Sequence, residues 1–257
     1  MIDLLLYLGC GLVAGVLGGY LGLGGGVAMV PYLVVLMGID IRMAVPVSTA
    51  AITVSSVSAS TEYLKKNMVD LEMVLTLAVF LTMGNVLGSS LVSVVPRDFL
   101  QLIFTAFLVY TSLMFLKGRK TADRQTTGGD LTAKYWLATA GLSFLAGVMG
   151  GLLGVGGGII MVPVLYLMLG LPLTTARGTM TFMFGFSAAA STLVFMALHQ
   201  LNYLMAGPVI LGSLLGGKLG GYLGTVSKPL TVRVIFFIVL MYMAVRLGWG
   251  PLERLIQ

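Results

Sequence analysis

The chain has 257 residues, of which 58% are hydrophobic and 9% charged, with a formal net charge of +6. A water-soluble domain carries roughly 25% charged residues, so there is too little polar side chain here to coat a soluble globule. One cysteine, Cys10, and one histidine, His199, exclude an internal disulfide, a cysteine-based metal cluster and a multi-histidine metal site.

The opening, MIDLLLYLGCGLVAG, has no basic residue ahead of its apolar run and no A-x-A-like cleavage site. It reads as a structural segment, not a removed signal. Apolar stretches lie at 4–17, 19–38, 43–64, 71–94 and 98–116, and again at 135–149, 151–170, 174–198, 203–226 and 229–249. A helix needs about 20 apolar residues to cross the hydrocarbon of a bilayer. The third, fourth and fifth stretches of each set qualify. The first is short, and the second is interrupted by glycines. The expected fold is an all-α polytopic membrane protein.

The two sets of stretches are one unit written twice. At an offset of 132, Gly15 to Pro31 overlies Gly147 to Pro163 with 12 of 17 positions identical, and no gap is needed anywhere. The same offset pairs Ala44 with Ala176, Thr49 with Thr181, Gly84 with Gly216, Gly88 with Gly220, Phe104 with Phe236 and Tyr110 with Tyr242. Residues 1–116 form a first transmembrane repeat and residues 135–257 a second. Between them, 117–134 is a linker carrying Lys117, Arg119, Lys120, Arg124 and Lys134.

Lysine and arginine accumulate on the cytoplasmic side of membrane proteins. That rule places the linker inside, and Lys65 and Lys66, two spans earlier, with it. The counterpart of the Lys65–Lys66 loop in the second half is LHQLN, without Lys or Arg, while the counterpart of the outer turn holds Lys228. The charge bias is inverted between halves, so each half crosses an odd number of times. The expected architecture is a pair of inverted-topology repeats of about five apolar segments each, with Gly-interrupted helices at the repeat interface. Five crossings satisfy the parity, as do three with a re-entrant hairpin. Either count puts both termini outside.

The phrases GGYLGLGGGVAMVPYL and GGLLGVGGGIIMVPVL concentrate glycine where the chain is most apolar. Neither copy completes a G-x-G-x-x-G fingerprint or a P-loop. Glycines four apart, as in Gly212, Gly216, Gly220 and Gly224, mark close helix packing in lipid. Triple glycines, Gly24, Gly25 and Gly26 with Gly156, Gly157 and Gly158, mark a helix broken inside the membrane. Unwound backbone at that depth is tolerated only in a protein-lined or watery cavity. The next half-helix then offers free N–H groups and a positive dipole end to an anion. Matching Gly-interrupted segments in two halves point to a transport site. Hydroxyls follow each phrase: Ser48 and Thr49 in the first half, Thr174, Thr179 and Thr181 in the second. Such groups supply neutral donors to an oxyanion, or else bond back to their own helices.

The duplicated phrase ending in Met-Val-Pro, the half-length near 130 residues and the basic central linker resemble the sulfite exporter TauE/SafE family, also described as sulfonate uptake permeases. The resemblance covers essentially the whole chain. It implies transport of sulfur-containing oxyanions, sulfite or organosulfonate. It implies no residue-level motif, so the candidate residues rest on their chemistry alone.

The nine carboxylates all lie in loops or within about a turn of a predicted helix end. None sits at mid-membrane as a proton or sodium relay. Outward movement of one negative charge gains about 2.3 kcal/mol per 100 mV when the interior is negative, so an anion exporter runs downhill without a coupling ion. Two basic residues in predicted spans are candidate anion ligands. Arg177 stands near the glycine break and suits a bidentate sulfonate contact. Lys218 faces either the cavity or, by snorkelling, the cytoplasmic surface. Arg233 reads as an anchor and His199 as an interfacial residue. An intramembrane hydrolase would need paired acids or a Ser–His pair, so the chain reads as a non-enzyme. The expectation is a multi-pass inner-membrane secondary transporter or facilitator, with an anion channel or membrane scaffold as the alternative. Its partners are a small anionic substrate and the lipid bilayer, with no nucleic acid and no cofactor. Oligomeric state is left open.

Overall fold

A computed structural model describes residues 2–116, 133–226 and 241–247. Their regular structure is all helical, with no strand among them. The helices are α1 (Ile2–Leu21), α2 (Gly26–Pro31), α3 (Ile41–Lys65), α4 (Leu71–Leu91), α5 (Arg97–Leu116), α6 (Ala133–Leu153), α7 (Gly158–Leu167), α8 (Leu173–Ala197) and α9 (Tyr203–Val226). A π-turn, Tyr32–Leu36, continues α2. Residues 241–247 are helical as well. Most of the linker, together with Lys228 and Arg233, lies outside the described residues.

Among the described residues, six helices, α1, α3, α4, α6, α8 and α9, are long and apolar enough to cross a membrane. The distribution of side chains is that of a protein dissolved in lipid. Leu204, Leu137 and Leu75 are 89%, 78% and 77% exposed, while Ser48, Ser143, Thr179 and Ser213 are fully buried. Several interior hydroxyls bond back to their own helices, as Thr111 does to the Phe107 carbonyl at 2.6 Å. That pairing removes the cost of an orphaned polar group in a medium without water.

Side-chain caps open α3, α4 and α9. Asp40 accepts from the Arg42 amide at 2.8 Å and opens α3. Asp70 accepts from the Met73 amide at 3.1 Å and opens α4. Asn202 takes the amides of Leu204 and Met205 at the start of α9. The starts of α2, α3 and α4 recur in α7, α8 and α9 at the 132-residue offset.

Helices of one half pack on helices of the other, through small residues that bring backbones into contact. Gly11, Gly15 and Gly19 of α1 lie on Val209, Ser213 and Gly217 of α9. The numbers rise together, so α1 and α9 run parallel. The stripe Gly212, Gly216 and Gly220 returns the contact to Leu8, Leu12 and Val16. Equivalent parallel packing joins α4 to α6, where Gly84 and Gly88 lie on Phe144 and Val148. A second stripe on α9, Gly217 and Gly221, meets Ser55 and Ala59, and makes α3 parallel to α9. The two central helices run oppositely: Thr53 of α3 meets Thr192 of α8 at 3.2 Å, and Tyr63 lies beside Gly178.

The segmentation differs from the sequence reading at the junction of the first two stretches in each half. The first apolar stretch extends to Leu21, and α2 begins only at Gly26. The break occupies residues 22–25 and 154–157, so the last glycine of each triple is already helical. The reason lies in the backbone. Gly22, Gly24 and Gly25, with Gly154 and Gly156, have φ between 63° and 82°, a left-handed conformation that costs any residue with a β-carbon. The chain then folds back on itself. Gly25 lies on Ala14 and beside Gly18 of α1, and Gly157 lies on Ala146 of α6. Each half therefore starts with a hairpin of a long helix and a short returning one.

Candidate functional site

The returning helices α2 and α7 bring their N-terminal ends together. Gly26, the first residue of α2, lies against the carbonyl of Gly154 in the other half's break. Reciprocally, a β-carbon on Gly158, the first residue of α7, would stand 2.9 Å from the Gly22 carbonyl. Ile52 and Phe184, near the midpoints of the 25-residue helices α3 and α8, pack against this junction. Phe184 faces Gly24, Gly156 and Gly158, where added β-carbons would meet its ring at 3.3, 2.9 and 2.8 Å. Ile52 faces Gly24 and Gly26. The junction thus sits halfway along the two central helices, with Ile52 and Phe184 both fully buried.

The local sequence leaves backbone donors there. The amides of Gly22 and Leu23 bond the Gly18 carbonyl at 2.9 and 3.2 Å, and Val155 bonds Gly150 at 3.2 Å. Ala28 and Met29 bond Gly25, and Ile160 and Met161 bond Gly157. Among the described residues, no backbone bond outside the regular helices uses the amides of Gly24–Val27 or of Gly156–Ile159. Two sets of first-turn N–H groups therefore converge from opposite directions, each at the positive end of a helix.

The predicted residues divide by position. Gly24, Gly25, Gly26, Gly156, Gly157 and Gly158 are brought to one place. Ser48 joins them, donating to the Gly154 carbonyl at 2.8 Å. Thr49 and Thr181 lie on the central helices and bond back to Val45 and Arg177 at 2.9 and 2.8 Å. Thr179 accepts the Asp70 amide at 2.9 Å and so braces the loop before α4. Arg177 is 5% exposed. Its stem packs on Gly22, and its charge acts on Tyr63. Lys218 is on the exposed face of α9 with Leu215, Leu219 and Tyr222, within electrostatic reach of Glu62.

Sequence reasoning missed Phe184, Ile52 and Tyr63. Tyr63 bonds the Gly19 carbonyl at 2.9 Å, just ahead of the break. The repeat offset carried a signal for the first pair: Ile52 and Phe184 are repeat-related, as residues facing a shared centre would be.

Residues 7–247 match the family described as Sulfite exporter TauE/SafE. The chain belongs to the sulfite exporter TauE/SafE family. Among its relatives is the probable membrane transporter protein YunE of Bacillus subtilis, 27% identical, with 92% of this chain and 94% of the relative covered. A probable membrane transporter protein of Xylella fastidiosa is 28% identical, with 99% of this chain and 98% of the relative covered. Sulfite exporter TauE/SafE family protein 5 of Arabidopsis thaliana is 30% identical over 54% of this chain and 34% of its own length. No solved structure matches the chain. As a TauE/SafE member with several apolar helices, the protein is a multi-pass membrane transporter.

Proposed function

We propose that this TauE/SafE protein is a secondary transporter or facilitator for small sulfur-containing oxyanions, sulfite or an organosulfonate, and that it exports them across the inner membrane. The observation that carries the reading is the meeting of the α2 and α7 N-termini between Ile52 and Phe184. An SO3-type head presents three oxygens in different directions. Converging amides can satisfy them without a formal charge that would hold the ion too long.

In this reading residues 1–116 and 135–257 are inverted-topology repeats joined by the basic linker 117–134. Opposite running of α3 and α8 supports it. Transport consists of one hairpin-bearing bundle rocking on the other, with Ile52 and Phe184 as the gate that must part. The end carrying Lys65 and Lys66 is cytoplasmic by the positive-inside rule. Arg97 at the start of α5 pairs with Asp40 at 3.1 Å, at the α3 start, so α5 leads back to the Lys65 end and delivers the linker to the same side. The N-terminus is then outside.

Purified protein in liposomes tests the proposal. Sulfite or methanesulfonate should move with an imposed potential, saturate, and exclude chloride. Unselective anion leak at channel rates overturns it in favour of a channel. Absence of any anion flux overturns it in favour of a scaffold.

A further inference from the structure

A cleft of about 470 Å³ opens at the end of the fold where α3 begins, away from the glycine junction. Its walls come from the α3 start (Arg42, Met43), the chain just after α4 (Ser93) and the turn between α8 and α9 (His199 to Asn202). Arg42 is held rather than free to wave: its Nη2 donates to the Val95 carbonyl at 2.7 Å. Its Nε is buried and has no acceptor in the protein. Nor does Arg42 have a carboxylate within ion-pair distance among the described residues. The nearby acid, Asp40, spends one oxygen on the Arg42 amide and the other on Arg97. A fixed guanidinium with an unused, desolvated N–H and no carboxylate in ion-pair contact is a demand for an anion.

The rest of the cleft fits one kind of anion. Ser93 is exposed there and offers a hydroxyl. Gln200 Oε1 is buried without a donor, and rotation of that amide by half a turn presents its N–H2 instead. Met43 and Leu201 add an apolar wall that a bare inorganic ion would not need. The site is also one-sided. The 132-residue offset puts Thr174 where Arg42 stands and Asn67 where His199 stands, so the repeat-related position lacks the guanidinium.

We propose that this cleft is an anion subsite for an SO3-type head, seated on Arg42 Nε and steadied by Ser93 and Gln200, with any organic substituent along Met43 and Leu201. In the orientation proposed above it is the outer mouth of the pathway. The subsite deepens the transport reading, and its test runs without transport.

Cys10 is the single cysteine and is buried. Ser93→Cys in a Cys10→Ala background therefore gives one accessible thiol, in the full chain in liposomes. Its reaction is followed with a sulfonate-bearing and a trimethylammonium-bearing methanethiosulfonate. With Arg42 present, the anionic reagent should be favoured, and Arg42→Gln should lower the anionic-to-cationic rate ratio by about tenfold. Methanesulfonate should slow modification in the Arg42 protein and not in Arg42→Gln, with Arg42→Lys intermediate. An unchanged ratio in Arg42→Gln protein that melts as the parent does would overturn the subsite, and so would equal slowing by chloride. Protection by methanesulfonate in protein that shows no flux would retain the subsite and remove the transport reading alone.

Discussion

Ser48 of α3 donates its hydroxyl to the carbonyl of Gly154, 2.8 Å away and 106 residues along the chain. One bond thus ties the central helix of the first half to the helix break of the second. The break carbonyls have no ladder to return to, so an interior partner has to come from a side chain. Ser48→Ala leaves the Gly154 carbonyl to whatever else is near. The expected result is a loss of about 1–3 kcal/mol, read as a lower unfolding temperature in detergent. Ser48→Thr, which keeps the hydroxyl, should recover part of it. A variant Ser48→Ala as stable as the parent would show that the bond contributes nothing.

Two glycine classes should respond in opposite directions. Gly216 lies against the Leu12 carbonyl, while Gly141 of α6 has nothing within 4 Å of an added β-carbon. Both are helical. Alanine at Gly141 therefore gains helix propensity of about 1 kcal/mol at no steric expense. Alanine at Gly216 gains the same propensity but pushes α1 and α9 apart, which costs about 1–3 kcal/mol. Thermal unfolding of the pair in one detergent separates them. Equal stabilities would remove the argument that the α9 stripe exists for backbone contact.

Much of this was legible because lipid makes sequence signals blunt. The third stretch, read at 43–64, is α3 at 41–65, and the stretch read at 203–226 is α9 with the same bounds. The Gly212–Gly224 stripe reads as packing because spacing by four fixes a helix face, and it packs on α1. What hydropathy did not resolve is where the chain turns. Leu21 and Leu23 are as apolar as their neighbours, and only the left-handed φ values of Gly22, Gly24 and Gly25 end α1 there. Nor could residue type tell a ligand from a brace. Thr179, Thr181 and Ser48 are alike in sequence, yet one holds a loop, one its own helix and one the break. Residue type likewise does not show that Lys218 lies on the exposed face of α9.

At the α3 start, charge and cap can be separated. Asp40 accepts the Arg42 amide and also pairs with Arg97. Both partners of the ion pair are partly exposed, 46% and 33%, so solvent leaves it worth at most about 1 kcal/mol. Asp40→Asn keeps the capping oxygen and removes the charge, and should cost little, with the difference vanishing in 1 M salt. Asp40→Ala also loses the cap, for about 1 kcal/mol more that salt does not restore. If the two variants melt together at all salt concentrations, the side-chain cap is not what opens α3.

Phe184 is the bulkiest side chain on the glycine junction. It is fully buried and faces Gly24, Gly156 and Gly158, so in the proposed pathway an ion bound at the converging amides displaces its ring. A gate of this kind contributes to the barrier in proportion to the contacts broken when it swings away. Phe184→Leu keeps the residue apolar and removes part of that contact. Loss of about 1.4 kcal/mol from the barrier corresponds to about tenfold faster passage. The expected phenotype is faster sulfite flux in liposomes with weaker discrimination against chloride. Phe184→Ala would go further but also costs about 3–5 kcal/mol of packing, so its unfolding has to be measured alongside. Ile52→Val, the repeat-related position, should shift flux in the same direction by less. If Phe184→Leu folds normally and transports at the parental rate with parental selectivity, the ring is only core, and the passage lies elsewhere.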